Sequence, residues 1–193
     1  MDADFPAAHS MDTEWFAIDQ NGFVGLFFTG EDGHIPSGAY FDMAGDGESL
    51  PPLPAEMQGA VFIYEFADQE AFCPEIVPPY ERTRVPKQPL HIDQLPPRLR
   101  EAYGRFRFDS IHFAEAEWIQ PWEYAECDSW DGAGAYLSAD RKSVRPIPGT
   151  EEEFHDLCLE AKQYLPPELK NIRFEEPPKK PRRRKKKGDA DER

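Results

Sequence analysis

Three cysteines, five histidines and 37 carboxylates are among the groups in this 193-residue chain able to act as nucleophiles, bases or metal ligands. Cys73, just before Pro74, could supply a thiolate, with His91 or His112 as the base that activates it. The competing reading makes Cys73, Cys127 and Cys158 small buried hydrophobes. Asp42, Asp46 and Glu48, with Gly45 and Gly47 between them, form an acidic glycine-rich loop. It lacks the Asp-x-Asp-x-Asp-Gly order and distal Glu of a calcium hand. His9, His34, His91, His112 and His155 show no paired ligand spacing, and His112 and Glu115 would fall on opposite faces of a strand. The Gly-x-Ser-x-Gly elbow, His-Glu-x-x-His, the phosphate loop, Gly-x-Gly-x-x-Gly and Cys-x-x-Cys do not occur. The expectation is therefore a protein without catalytic residues, metal or cofactor, one that binds rather than transforms.

Two stretches carry binding chemistry. Between Glu115 and Asp131 the sequence sets Trp118, Trp122, Tyr124 and Trp130 among Glu115, Glu117, Glu123, Glu126, Asp128 and Asp131. Aromatic anchors ringed by negative charge suit a basic protein partner, with Trp118, Trp122, Glu123, Tyr124, Glu126, Asp128 and Trp130 as the contact set. The alternative is that the tryptophans are core and the carboxylates a solvated face. The second stretch is the C-terminal block of Lys179, Lys180, Arg182, Arg183, Arg184, Lys185, Lys186 and Lys187, eight cations in nine residues. Such a block repels itself and buries no apolar area, so disorder is expected. It suits sequence-independent contact with nucleic acid or another polyanion, or folding back onto the acidic body.

The net charge of −15 hides that division. Residues 179–193 sum to +6, which leaves −21 on residues 1–178, and no Lys or Arg precedes Arg82. An acidic body of this kind repels phosphate and speeds encounter with cationic partners. No apolar run approaches the roughly 18–20 residues of a membrane span, and the first ten residues lack the charged and apolar regions of a secretory signal. Scattered, odd-numbered cysteines fit a reducing compartment, so a cytoplasmic protein without membrane contact is expected.

The elements that position these residues divide into a lead-in at 1–12, a single acidic α+β domain at 13–175 and the basic tail at 176–193. The runs 14–18 and 23–29 flank Asn21-Gly22, the signature of a β-hairpin with a type I′ turn. A further strand is expected at 59–66. Ten of the 20 prolines lie between Pro51 and Pro97, which predicts an irregular connection with brief regular pieces. A short helix is expected over 98–103, strands from Arg105 to Phe113 broken near Asp109-Ser110, and a hairpin from 134–138 to 143–147. Thr150 and Glu153 make a capping box for a helix over 151–165, whose apolar face is Phe154, Leu157, Cys158, Ala161, Tyr164 and Leu165. The expected architecture is an antiparallel sheet of hairpins with that C-terminal helix packed on one face.

Trp15-Phe16-Ala17-Ile18-Asp19, followed by Gly30-Glu31-Asp32-Gly33-His34-Ile35-Pro36, resembles the opening of uncharacterised bacterial proteins with a Trp-Phe-Ala-x-Asp hairpin ending in Gly-Glu-x-Gly-x-x-Pro. The resemblance implies a bacterial, cytoplasmic origin and no catalytic residue. In size and charge the chain is also similar to toxin-immunity proteins. That similarity implies an acidic surface complementary to a basic nuclease.

Overall fold

The computed structural model describes residues 13–30, 33–41, 52–67, 76–128, 134–150, 154, 156–157 and 171–175. The lead-in, the basic tail, Asp42, Asp46, Glu48, Cys73, Trp130 and Cys158 lie outside these residues. In chain order the elements are Glu14–Ile18 (β1), Val24–Phe28 (β2), Ile35–Pro36 (β3), Tyr40–Phe41 (β4), Ala55–Gln58 (α1), Phe62–Phe66 (β5), Ile76–Val77 (β6) and Tyr80–Arg84 (β7). They continue with Pro97–Tyr103 (α2), Trp118–Ile119 (β8), Cys127–Asp128 (β9), Ala135–Leu137 (β10), Ser143–Pro146 (β11) and Arg173–Phe174 (β12).

β1 and β2 pair antiparallel from Glu14↔Phe28 to Ile18↔Val24, as their alternating aromatic and β-branched residues lead one to expect. The turn is not type I′. Residues 19–23 form a wider loop in which Gly22 takes φ 84° and Asn21 does not enter the left-handed region. The Asp19 carboxylate directs this loop. It is buried and accepts the N–H groups of Asn21, Phe23 and Phe113 at 2.9, 2.9 and 3.0 Å.

The first sheet runs β4-β1-β2-β5-β7-β8, and it is mixed rather than antiparallel, because β2 and β5 pair in parallel. The reason is topological. β4 joins the sheet beyond β1, the connection carries α1, and β5 enters on the far side of β2, a crossover in place of a hairpin. The second sheet, β12-β11-β10-β6, keeps the expected β10–β11 hairpin but adds parallel pairs at β10–β6 and β11–β12. A two-stranded ribbon, β3–β9, completes the set.

The strands expected from Arg105 to Phe113 are also corrected. This segment is a series of turns with one isolated bridge, Ile18↔Arg107. Its carbonyls find mixed partners: Phe106 O and Ile111 O accept the backbone N–H groups of Ile18 and Gln20 at 3.0 Å, Arg82 donates to Phe113 O and the adjoining Ala114 O at 2.7 and 2.8 Å, and the Tyr64 hydroxyl donates to Ala116 O at 2.8 Å. So held, the segment lays Phe108, Ile111 and Phe113 over one face of the first sheet. There Trp15 stacks on Phe27 at 4.0 Å and Phe27 on Tyr64 at 4.9 Å. Each such buried ring contributes about 1.5–3 kcal/mol. On the opposite face, Phe16, Ile18 and Val24 lie beneath Leu53, Leu90, Leu95, Leu99 and Tyr103, the last two from α2.

Of the helix expected over 151–165, Phe154, Asp156 and Leu157 are described, all helical. Phe154 is buried against Ile76, Ala135, Leu137 and Val144 of the second sheet.

Candidate functional site

Strand register places together side chains that are far apart in sequence. Residues directly opposed across a sheet project from the same face. Glu14 opposes Phe28, Phe28 opposes Glu65, Glu65 opposes Glu81 and Glu81 opposes Trp118. A row of carboxylates and aromatics therefore crosses β1, β2, β5, β7 and β8 on one face. Glu14, Glu65 and Glu81 are exposed, and Phe28 and Trp118 are half-buried. The next row is Phe16, Leu26, Ile63 and Arg84 by the same logic.

The rows border a groove of about 390 Å³ lined by Phe16, Leu26, Phe28, Leu53, Ile63 and Tyr103, and also by Glu14 and Arg84. Arg84 turns its donors onto backbone, at 2.6 Å to Gln58 O and 3.4 Å to Val61 O. Glu65 accepts a hydrogen bond from Thr83 Oγ1 at 3.1 Å. Neither Glu65 nor Glu81 makes an ion pair with a described residue, although like charges set directly opposite each other repel. At the far end of the row the Arg141 guanidinium sits 4.7 Å from the centre of the Trp118 ring, a cation held on an aromatic face.

The contact set expected between residues 118 and 130 is dispersed. Trp118 ends the row on β8. Trp122 is buried with Val77, Cys127, Tyr136 and Ile147, 6.1 Å from the His34 ring and stacked on it. Glu123 is half-buried, accepts the Ala139 N–H at 3.3 Å and faces Arg145 at 3.7 Å; burial pushes its carboxyl above the ordinary range. Tyr124 is exposed and meets Phe108 edge-on at 5.5 Å. Glu126 is exposed, and its carbonyl accepts the Ser37 N–H at 2.8 Å. Asp128 lies on β9 opposite Ile35, and Trp130 lies outside the described residues, as do all eight tail cations.

Glu14, Phe28, Glu65 and Glu81 were not singled out in the sequence. The polar positions within Phe62–Phe66 and Tyr80–Arg84 mark Glu65 and Glu81 as outward-facing, but only the strand order makes them neighbours.

The histidines considered as catalytic bases have other partners. His91 Nε2 lies 2.9 Å from Asn21 O, and His112 is bracketed by the side-chain amides of Gln20 and Asn21. Both close the β1–β2 loop. Among the described residues no group of three or more His, Cys, Asp or Glu is arranged to hold a metal, and no helix is long and apolar enough to cross a membrane. The chain matches no protein-family model, no curated protein and no solved structure.

Proposed function

We propose that the chain is a non-enzymatic binding protein whose acidic body docks a basic protein partner on the part of this first-sheet face left open beyond Leu53 and Tyr103, where Phe28, Glu65, Glu81 and Trp118 lie. The observation that carries this reading is the row from Glu14 through Glu65 and Glu81 to Trp118, beside an apolar groove. Its complement is a segment that places an apolar side chain in the groove and cations against the carboxylates. The acidic residues steer encounter, and the groove and Trp118 slow dissociation. An immunity-type inhibitor facing a basic nuclease is one form of this function.

The test uses a fluorescein-labelled peptide, Lys-Arg-Lys-Leu-Lys-Arg-Lys, titrated into the full chain at low salt and read by anisotropy. Reversing Glu65 and Glu81 to Lys is expected to weaken binding at least tenfold, and exchanging the peptide's leucine for serine to weaken it severalfold. Equal affinity for the wild-type and reversed chains would rule out this face as the docking site.

The composition of residues 179–187 favours a second reading, an accessory protein tethered to nucleic acid or another polyanion by its tail. Binding of a DNA duplex that falls steeply with salt, and that vanishes when the tail cations are changed to Gln, is its signature. We also infer that residues 151–165 form a helix on one face of the second sheet, supported by the helical conformation at Phe154, Asp156 and Leu157 and by the burial of Phe154.

A further inference from the structure

We propose that the chain's own basic block, Lys179 to Lys187, lies across the open face in cis and acts as an autoinhibitory competitor for the docking site. The proposal rests on the function just described. Three observations carry it.

The first is complementarity. The face combines carboxylates and aromatic rings, Glu14, Phe28, the adjacent pair Glu65 and Glu81, and Trp118, so an extended cationic segment meets both ion-pair and cation–π partners. The aliphatic stems of its Lys and Arg side chains can lie over the half-buried Leu26, Phe28 and Ile63 that line the groove. Arg141 on Trp118 already demonstrates one such contact within the chain.

The second is reach. Arg145 on β11 holds Glu175 at 2.9 Å, and Arg141, four residues earlier, sits against Trp118. Arg145 also faces Glu123 at 3.7 Å, four residues past the end of β8, so two ion pairs tie Glu175 to the chain leaving the β8 end of the row. Extended chain advances about 3.3–3.6 Å per residue, which carries Lys179 about 13 Å and Lys187 about 40 Å beyond Glu175.

The third is length. Five strands at about 4.8 Å spacing make the row about 19 Å long, and nine extended residues cover it. The block has no apolar side chain other than Pro181, so it neutralises the carboxylates but leaves the groove unfilled. A partner that fills both displaces it, and salt loosens it.

The experiment is zero-length carbodiimide cross-linking of the full chain at low ionic strength, with the monomer band read by mass spectrometry. Cross-links from Lys179, Lys180 and Lys185–Lys187 are expected to concentrate on Glu65 and Glu81 and to fall at least fivefold in 0.5 M salt (about 3 Å Debye length at 1 M against about 10 Å at 0.1 M). They are also expected to disappear from these lysines in an E65Q/E81Q chain whose other carboxylates are intact. In parallel, a full chain with the eight tail cations changed to Gln is expected to bind the leucine-containing peptide about tenfold more tightly than wild type.

Tail cross-links spread evenly onto Glu101 and Glu115, or confined to a dimer band, would overturn the cis contact. So would equal peptide affinity of the wild-type and tail-neutralised chains. In the latter case, a loss of binding on reversing Glu65 and Glu81 would leave the docking function standing. Cross-links to Glu65 and Glu81 in a chain whose tail-neutralised form still fails to bind the peptide would reject the docking function and keep the cis contact.

Discussion

His34 sits among Phe66, Tyr80 and Trp122 with neither ring nitrogen in hydrogen-bonding geometry, and burial holds its imidazole down to about 3. In the unfolded chain the ring takes up a proton near 6.5, and in the folded chain only near 3, so unfolding binds a proton throughout that window. Stability is therefore present above about 6.5 and falls with acid, by at most about 1.4 kcal/mol per pH unit. His34→Phe should match wild type near neutrality and lose less stability between pH 6 and pH 4 in urea titrations; parallel acid limbs would show that His34 does not set this sensitivity. None of this was legible in the sequence, where His34 is a polar residue in a Gly-rich stretch and nothing marks it for the interior. Trp122 and Trp118 illustrate the same limit. They are four residues apart with similar neighbours, yet one is core and the other ends an open row, because β8 ends at Ile119 and the chain turns inward at Pro121.

At the scale of elements, local patterns placed the pieces and non-local pairing decided their use. The β1–β2 and β10–β11 hairpins, β5 and α2 were legible because each is signalled within a few residues, by alternation, turn residues or proline at a helix start. The parallel neighbours β2 and β5 were not, since among the described residues the connection between them carries a helix of just four residues, with no buried side chain to mark a crossover. β7 was hidden inside the proline-rich region, although Tyr80–Arg84 pairs on both edges. The candidate site depends on those two strands. Glu65 opposite Glu81 is a repulsive cross-strand pair, so Glu81→Lys should stabilise the chain by about 0.5–1 kcal/mol, or about 1–4 °C in Tm, while weakening peptide binding. A gain in Tm with unchanged binding would make the pair a local irregularity without a docking role; a drop in Tm would show that the two carboxylates do not repel in this register.

Over the whole molecule, the sequence charge of +6 on residues 179–193 against −21 on the rest was plain from composition, but where the negative charge is concentrated on the fold was not. The fold gathers carboxylates from β1, β5 and β7, separated by up to 67 residues between Glu14 and Glu81, onto one face beside a groove. Electrostatic steering acts at this scale, so peptide association should slow markedly between 0.05 and 0.3 M salt, with dissociation changing less. Salt-independent association would place the contact elsewhere. The docking face is tested most directly by titrating the leucine-containing peptide into the isotopically labelled full chain and following backbone amides and Trp indoles by NMR. Shifts centred on Phe28, Ile63, Glu65, Glu81 and the Trp118 indole, with the groove-lining Leu53 and Tyr103 and the displaced tail following, are expected to saturate together with a single affinity. Shifts centred instead on α2 and the 105–116 segment, with Glu65, Glu81 and Trp118 unmoved at saturation, would contradict it.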